Sequence, residues 1–85
     1  MRVLIPTPLR SYTRAAEVEA NGATLGEVLA DLDRAYPGLR FRMIDEQDRI
    51  RTHIRFFVNG VQEFDVEHAL RAGDEIQIVQ ALSGG

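Results

Sequence analysis

Apolar and polar residues alternate in several short segments of the chain, and a period of two residues is typical of β-strands with one buried face. In segment 53–59, Ile54, Phe56 and Val58 share one predicted face. The pair Asn59-Gly60 that follows them is a strong signal for a tight turn. The same pattern predicts strands over residues 2–5, 17–20, 53–59, 61–64 and 75–81. The chain should therefore contain two hairpins and a final strand.

Between the hairpins, Asn21-Gly22 predicts a turn, and the spacing of apolar residues then changes to three and four, which predicts an amphipathic helix. Thr24 and Glu27 fit a capping box at its start, and Pro37-Gly38 ends it. The stripe expected to face the core consists of Leu25, Val28, Leu29 and Leu32. Residues 39–52 mix apolar and charged side chains without a clean period, so we predict a short helical turn followed by a mobile excursion.

One main helix packed on a mixed sheet, with strands before and after it, is a two-layer α+β arrangement, and the ubiquitin-like β-grasp fits it best. The 85 residues contain no linker or low-complexity stretch. We therefore predict a single domain over residues 1–85 with a flexible C-terminal tail at about 82–85. A chain of this length can bury one small core, and a large enclosed active site is not expected.

Composition narrows the function classes. The formal net charge of −3 gives no general attraction to nucleic acid or to an anionic membrane. Cysteine is absent, and the early apolar run Val3 to Ile5 is too short for a signal peptide or a membrane span, so the expected location is the cytoplasm. His53 and His68 are the only histidines, and the glycines form no phosphate-binding motif, so we expect the chain to bind neither metal nor cofactor.

The sequence ends with Leu82-Ser83-Gly84-Gly85, directly after the last predicted strand. Glycine has no Cβ atom, so a Gly-Gly end can pass through a narrow channel and present its carboxylate to another protein's active site. At about 3.3 Å per residue, residues 80–85 could reach roughly 20 Å from the sheet. A frayed terminus is the ordinary alternative for two terminal glycines.

The whole chain resembles the MoaD/ThiS family of ubiquitin-like sulfur carrier proteins through three motifs. These are Val58-Asn59, Gly73-Asp74-Glu75-Ile76 and Ser83-Gly84-Gly85. Within the family, the sequence looks most like the sulfur carrier of O-phosphoserine-dependent cysteine biosynthesis. The residues that carry this closer likeness are Ile5-Pro6-Thr7, Leu9-Arg10, Thr13 and Thr24-Leu25-Gly26.

The resemblance implies a carrier protein that is not an enzyme by itself. An E1-like adenylyltransferase/sulfurtransferase would use ATP to adenylate the Gly85 carboxylate, presented through Gly84, and would convert it to a thiocarboxylate. The sulfur would pass to a pyridoxal-phosphate-dependent cysteine synthase, and a metalloprotease would free the new cysteine, so ATP and pyridoxal phosphate belong to partners. Two alternatives stay open: the small subunit of molybdopterin synthase, whose tail enters the large subunit, and a ubiquitin-like modifier of lysines.

Strand alternation places Leu4, Phe57 and Val79 on the sheet face opposite the helix. The resemblance implies that this face, together with Leu82 and Ser83, contacts the activating enzyme. Scattered exposed apolar residues are also common on surfaces without any function. A run of basic residues is most simply a solvated face, and its functional alternative is steering toward an acidic partner. The run comprises Arg40, Arg42, Arg49, Arg51 and Arg55.

Overall fold

The computed structural model describes residues 1–81, and within this range it contains a five-stranded sheet, three helices and one 3-10 turn. The strands are β1 (Arg2–Leu4), β2 (Glu17–Glu19), β3 (Ile54–Val58), β4 (Val61–Glu63) and β5 (Glu75–Gln80). The helices are α1 (Arg10–Thr13), α2 (Leu25–Ala35) and α3 (Leu39–Met43), and the 3-10 turn covers Thr7–Leu9. Every predicted strand is confirmed, with its ends shifted by at most one residue. No helix within residues 1–81 is long and apolar enough to cross a membrane.

Across residues 1–81, the strands lie in the order β2-β1-β5-β3-β4. The central pair β1 and β5 is parallel, and the other neighbouring pairs are antiparallel. This mixed sheet packed on α2 is the predicted ubiquitin-like β-grasp. Because β5 occupies the centre of the sheet, it delivers Ala81 to the middle of one end of the sheet.

The core lies between α2 and one face of the sheet. Side chains that are at most 2% exposed and pack in it include the helix stripe Leu25, Val28, Leu29 and Leu32 and the strand residues Val3, Ile54, Phe56, Ile76 and Ile78. The predicted capping box forms, because Thr24 Oγ1 accepts a hydrogen bond from the Glu27 N–H (3.2 Å). The Glu27 carboxylate in turn accepts one from the Ala23 N–H (3.1 Å), one residue before the cap.

The segment after α2 packs against the core, which the sequence did not predict. The helical turn is confirmed as α3, and three apolar residues at its inner side are at most 1% exposed: Leu39, Met43 and Ile44. The next turn is closed by Asp45, whose carboxylate accepts hydrogen bonds from the N–H groups of Gln47 (2.8 Å) and Arg49 (3.0 Å). These bonds, above all the one from Arg49, hold the pKa of Asp45 below its ordinary value. The charged residues that hid the pattern therefore line the solvent side of a packed turn.

A polar clamp fixes the start of β5 against the turn between β3 and β4. The Asn59 side chain donates to Asp74 (Nδ2 to Oδ1, 2.9 Å) and accepts from the Glu75 N–H (2.9 Å). Asn59 (φ 51°) and Gly60 (φ 85°) both adopt the left-handed conformation of a type I′ turn, which confirms the predicted tight turn. The Arg71 N–H also donates to Asp74 (2.8 Å), and this bond is the main reason that the pKa of Asp74 is lowered. The two internal family motifs therefore meet at one place and position β5.

Candidate functional site

The end of β5 is held on one side only. Antiparallel pairing with β3 continues to Gln80, and the Ala81 N–H then donates to the His53 carbonyl (2.8 Å). Parallel pairing with β1 stops earlier, at Gln77. The predicted tail residues Leu82, Ser83, Gly84 and Gly85 lie outside the described residues. The structure thus defines the tail root, residues 79–81, as a strand end supported by β3 and the segment before it.

The sheet face opposite α2, which we call the outer face, carries the predicted docking residues. Leu4 of β1 and Phe57 of β3 flank Gln77 of β5 in one row across the sheet. Val79 lies two residues further along β5, at the tail root, opposite Arg55. Leu4, Phe57 and Val79 are all half-buried. Alternation therefore placed these three side chains correctly, and their role in docking stays a prediction.

A shallow depression of about 620 Å³ borders the tail root where β1 turns away. Pro6 has no N–H for strand pairing, and the 3-10 turn that follows it leads the chain away from β5. Leu9 is 3% exposed and anchors this turn in the core, while the Arg10 Nε–H donates to the Ile5 carbonyl (2.9 Å). The lining includes Leu4, Pro6, Thr7, Pro8, Val79 and Gln80. Residues 5–10, noted in the sequence for their family likeness, shape this side of the site.

A second depression, of about 260 Å³, lies on the α3 side of the tail root, and we call it the arginine cleft. Its lining consists of Leu9, Phe41, Arg42, Arg51, His53 and Gln80. The Arg51 guanidinium carbon lies 4.6 Å from the centroid of the Phe41 ring. The sequence did not predict that these residues belong to the site. Their only signal was the basic run, which does not reveal that α3 packs beside the end of β5.

Charge is unevenly distributed between the two ends of β5. Four arginines flank the tail root: Arg10, Arg42, Arg51 and Arg55. No carboxylate among residues 1–81 lies within 4.0 Å of any of these four guanidinium groups. At the other end, Glu75 forms an ion pair with Arg2. Within residues 1–81, Glu17, 3.7 Å from Arg2, is the one carboxylate that lines the shallow depression at the tail root. A chain with a net negative charge therefore presents an arginine-rich end where the tail begins.

Around the end of β5, the described residues form surfaces that are open to a partner. Within residues 1–81, no three His, Asp or Glu side chains are placed to hold a metal ion. The structure places a central strand, an outer face on which three apolar side chains lie among polar ones, and two depressions around the tail root. Such surfaces can bind a partner and aim the residues that follow Ala81.

Comparison with known proteins gives matches over nearly the whole chain. The sequence matches the ThiS family over residues 3–85. It is 37% identical to the sulfur carrier protein CysO of Mycobacterium tuberculosis, over 98% of this chain and 96% of that protein. It is also 32% identical to small archaeal modifier protein 1 of Haloferax volcanii, over 86% of this chain and 84% of that protein.

Structural comparison agrees with the sequence matches. The crystal structure of the Amycolatopsis orientalis BexX/CysO complex contains a chain that matches with a TM-score of 0.90 at 32% identity, covering 99% of this chain and 98% of that one. The family match over residues 3–85 and the structural match over nearly the full length of both chains lead to the same result. The chain belongs to the ThiS family and has the ubiquitin-like β-grasp fold.

Proposed function

We propose that this chain is a sulfur carrier protein, a substrate of partner enzymes and not a catalyst by itself. The observation that carries the proposal is the central position of β5, which the sequence continues into Leu82-Ser83-Gly84-Gly85. The central strand gives the tail a rigid base, and the two glycines make its end slender. The identity of 37% to the sulfur carrier protein CysO, over nearly the full length of both chains, supports the same role here.

The proposed charging of Gly85 takes two steps. In the first, a carboxylate oxygen attacks the α-phosphorus of ATP, pyrophosphate leaves, and an acyl-adenylate forms. In the second, a hydrosulfide ion or an equivalent sulfur donor attacks the acyl carbon, the bond to the AMP oxygen breaks, and one proton is lost. The products are AMP and a thiocarboxylate on Gly85. Activation is required because a carboxylate repels an anionic nucleophile and lacks a good leaving group.

The likeness to the sulfur carriers of cysteine biosynthesis implies the partners. We propose an E1-like adenylyltransferase that binds ATP and charges Gly85, and a pyridoxal-phosphate-dependent cysteine synthase that takes the sulfur. A metalloprotease would then release the new cysteine from the carrier. Two observations support a partner-dependent role: the similarity to CysO, and the crystallisation of a relative of the same fold in a complex with a second protein, BexX.

Modification of other proteins is a second candidate function, favoured by the 32% identity to small archaeal modifier protein 1. In that reaction, the ε-amine of a target lysine attacks the acyl-adenylate in place of sulfide, and an isopeptide bond forms as AMP leaves. All ten basic residues of this chain are arginine. The chain therefore offers no lysine of its own, and its copies cannot be linked to one another through lysine side chains.

Reconstitution tests the proposed function. We expect the intact mass to rise by about 16 Da, as sulfur replaces one oxygen, when the protein is incubated with the adenylyltransferase of its own genome, ATP and sulfide. Omission of ATP should prevent the change. A folded protein that stays uncharged while the same enzyme adenylates another carrier would reject the proposal. Isopeptide products without any thiocarboxylate would favour the modifier function.

Replacing Phe57 with aspartate is expected to weaken binding to the adenylyltransferase by about 10- to 100-fold, because a charge would replace an aromatic side chain beside the central strand on the outer face. Val61→Asp is the matched control, since Val61 lies on edge strand β4 and is 70% exposed. Titration calorimetry measures the affinity, and circular dichroism shows that both variants fold. Equal affinities for the two variants would contradict docking through the outer face.

A further inference from the structure

The arginine cleft combines a hydrogen-bonded guanidinium with an exposed aromatic ring beside the tail root. The Arg51 N–H donates to the Met43 carbonyl (3.0 Å), and its Nε–H donates to the Phe41 carbonyl (2.7 Å). The guanidinium also stacks over the Phe41 ring, which is 49% exposed as a residue. The two side-chain contacts favour one orientation of the Arg51 guanidinium. Its two terminal nitrogens have no hydrogen-bond acceptor among residues 1–81.

Three acidic residues lie between Arg42 and Arg51 in the sequence, and neither arginine forms an ion pair with any of them. Asp45 closes its own turn, and its Oδ2 lies 3.7 Å from Arg49 Nε. Asp48 pairs with Arg40 at 2.6 Å. Arg42, which is exposed at the cleft, has no carboxylate of residues 1–81 within 4.0 Å. No carboxylate of residues 1–81 therefore forms an ion pair with either cleft arginine, and the Arg51 charge acts on Asp45 only from a longer distance, where it helps to lower the pKa of that carboxyl group.

We propose that the arginine cleft is a second docking surface, which binds acidic side chains of the adenylyltransferase. This inference rests on the proposed function, because it assigns a further contact to the same partner. Carboxylates fit Arg42 and Arg51 by charge and by the planar geometry of the guanidinium group. The apolar ring of Phe41 would pack against the aliphatic part of a glutamate or aspartate side chain.

The position of the cleft argues for a protein carboxylate and against a nucleotide phosphate. The cleft borders Gln80, whereas Gly85 follows five residues later in the sequence, roughly 17 Å away if that segment is extended. ATP that reacts at Gly85 would therefore lie away from the cleft. The net charge of −3 also gives the chain no general affinity for nucleic acid.

Two contacts on opposite sides of β5 would restrain the tail root more fully than one contact alone. The outer face carries Leu4, Phe57 and Val79, and the arginine cleft lies on the α3 side of the same strand end. A partner that binds both surfaces fixes the rotation of the tail root as well as its position. The direction in which residues beyond Ala81 leave the sheet is then set by the docking geometry.

Charge reversal at Arg42 tests the inference. Arg42→Glu is expected to slow association with the adenylyltransferase by about 10-fold at low ionic strength, and the difference should shrink as salt is added. Arg71→Glu makes the same change of charge near the start of β5 and should alter association by less than about 2-fold. Arg42→Gln removes the charge with little risk to folding and should give an intermediate rate. If Arg42→Glu and Arg71→Glu associate at equal rates while the wild-type protein still acquires its thiocarboxylate, the inference is overturned and the proposed function is left intact.

A second experiment does not depend on the enzyme. An acetylated tetraglutamate peptide amide is titrated into the isotope-labelled chain, with tetraglutamine amide and inorganic phosphate as controls. We expect saturable shifts in the NMR signals of Phe41, Arg42 and Arg51 with tetraglutamate only. Shifts spread evenly over all arginines, or equal shifts with phosphate, would show general anion binding and overturn the inference. If the shifts are localised but the reconstitution yields no thiocarboxylate, the cleft still binds acidic side chains and the proposed function is rejected.

Discussion

Valine in place of Gly84 is expected to reduce adenylation of the chain to the background rate. A β-branched side chain restricts the backbone and adds bulk next to the reacting carboxylate. In-line attack on the α-phosphorus of ATP requires the reacting atoms to be about 3–3.5 Å apart, and a displaced terminus forfeits that geometry. Because the proposed docking surfaces lie on the sheet and beside α3, we expect the affinity of the variant for the adenylyltransferase to stay close to that of the wild type.

ATP-pyrophosphate exchange, measured together with affinity, checks this prediction. Ala81→Val is the matched control, since it adds a β-branched residue at the exposed tail root and should leave the exchange almost unchanged. Normal exchange by Gly84→Val with loss of thiocarboxylate would move the requirement for glycine to the later attack by sulfur. Normal exchange and normal thiocarboxylate formation by Gly84→Val would show that charging does not require glycine at this position.

Aspartate in place of Ile78 is expected to unfold the protein. Ile78 is 2% exposed on the central strand and lies opposite Phe56 of β3, in the core under α2. A buried, unpaired carboxylate costs several kcal/mol, which is comparable with the whole free energy of unfolding of a small domain, about 5 kcal/mol. Protonation of the carboxyl group would lower this cost without removing it.

Val79→Asp is the matched control for Ile78→Asp, because Val79 is the next residue on the same strand and lies half-buried on the outer face. Thermal unfolding followed by circular dichroism should show a cooperative transition for Val79→Asp and none for Ile78→Asp. If Ile78→Asp unfolded at the wild-type temperature, the assignment of the two sheet faces would be wrong.

The elements that the sequence predicts well are those whose signals lie within a few residues. Thr24 and Glu27 are three residues apart and form their cap without help from the rest of the chain. The left-handed pair Asn59-Gly60 is similarly local. Asn21-Gly22 shows the limit of such signals. A Cβ atom on Gly22 would lie 2.6 Å from the Val28 nitrogen, so glycine is required there by close approach to α2 and not by a positive φ.

What the sequence could not predict depends on packing between distant segments. Leu39, Met43 and Ile44 are interrupted by charged residues, and they are recognisable as core only once α3 lies against the rest of the domain. The same packing forms the arginine cleft, which joins Phe41 and Arg51 to Gln80 at the other end of the chain. The outer face was predictable because strand alternation depends only on neighbouring residues.

The most direct test of the central claim, that Gly85 carries the sulfur, uses the absence of cysteine from the chain. After reaction with the adenylyltransferase, ATP and sulfide, the protein is treated with iodoacetamide near neutral pH, digested, and sequenced by tandem mass spectrometry. Alkylation also avoids confusion with oxidation of Met1 or Met43, which raises the mass by nearly the same amount as sulfur exchange. We predict one carbamidomethyl group, located on Gly85 and absent when ATP is omitted. The account would be contradicted if, after the reaction with ATP and sulfide, the sulfur-linked label lay on any other residue or if the protein took no label at all.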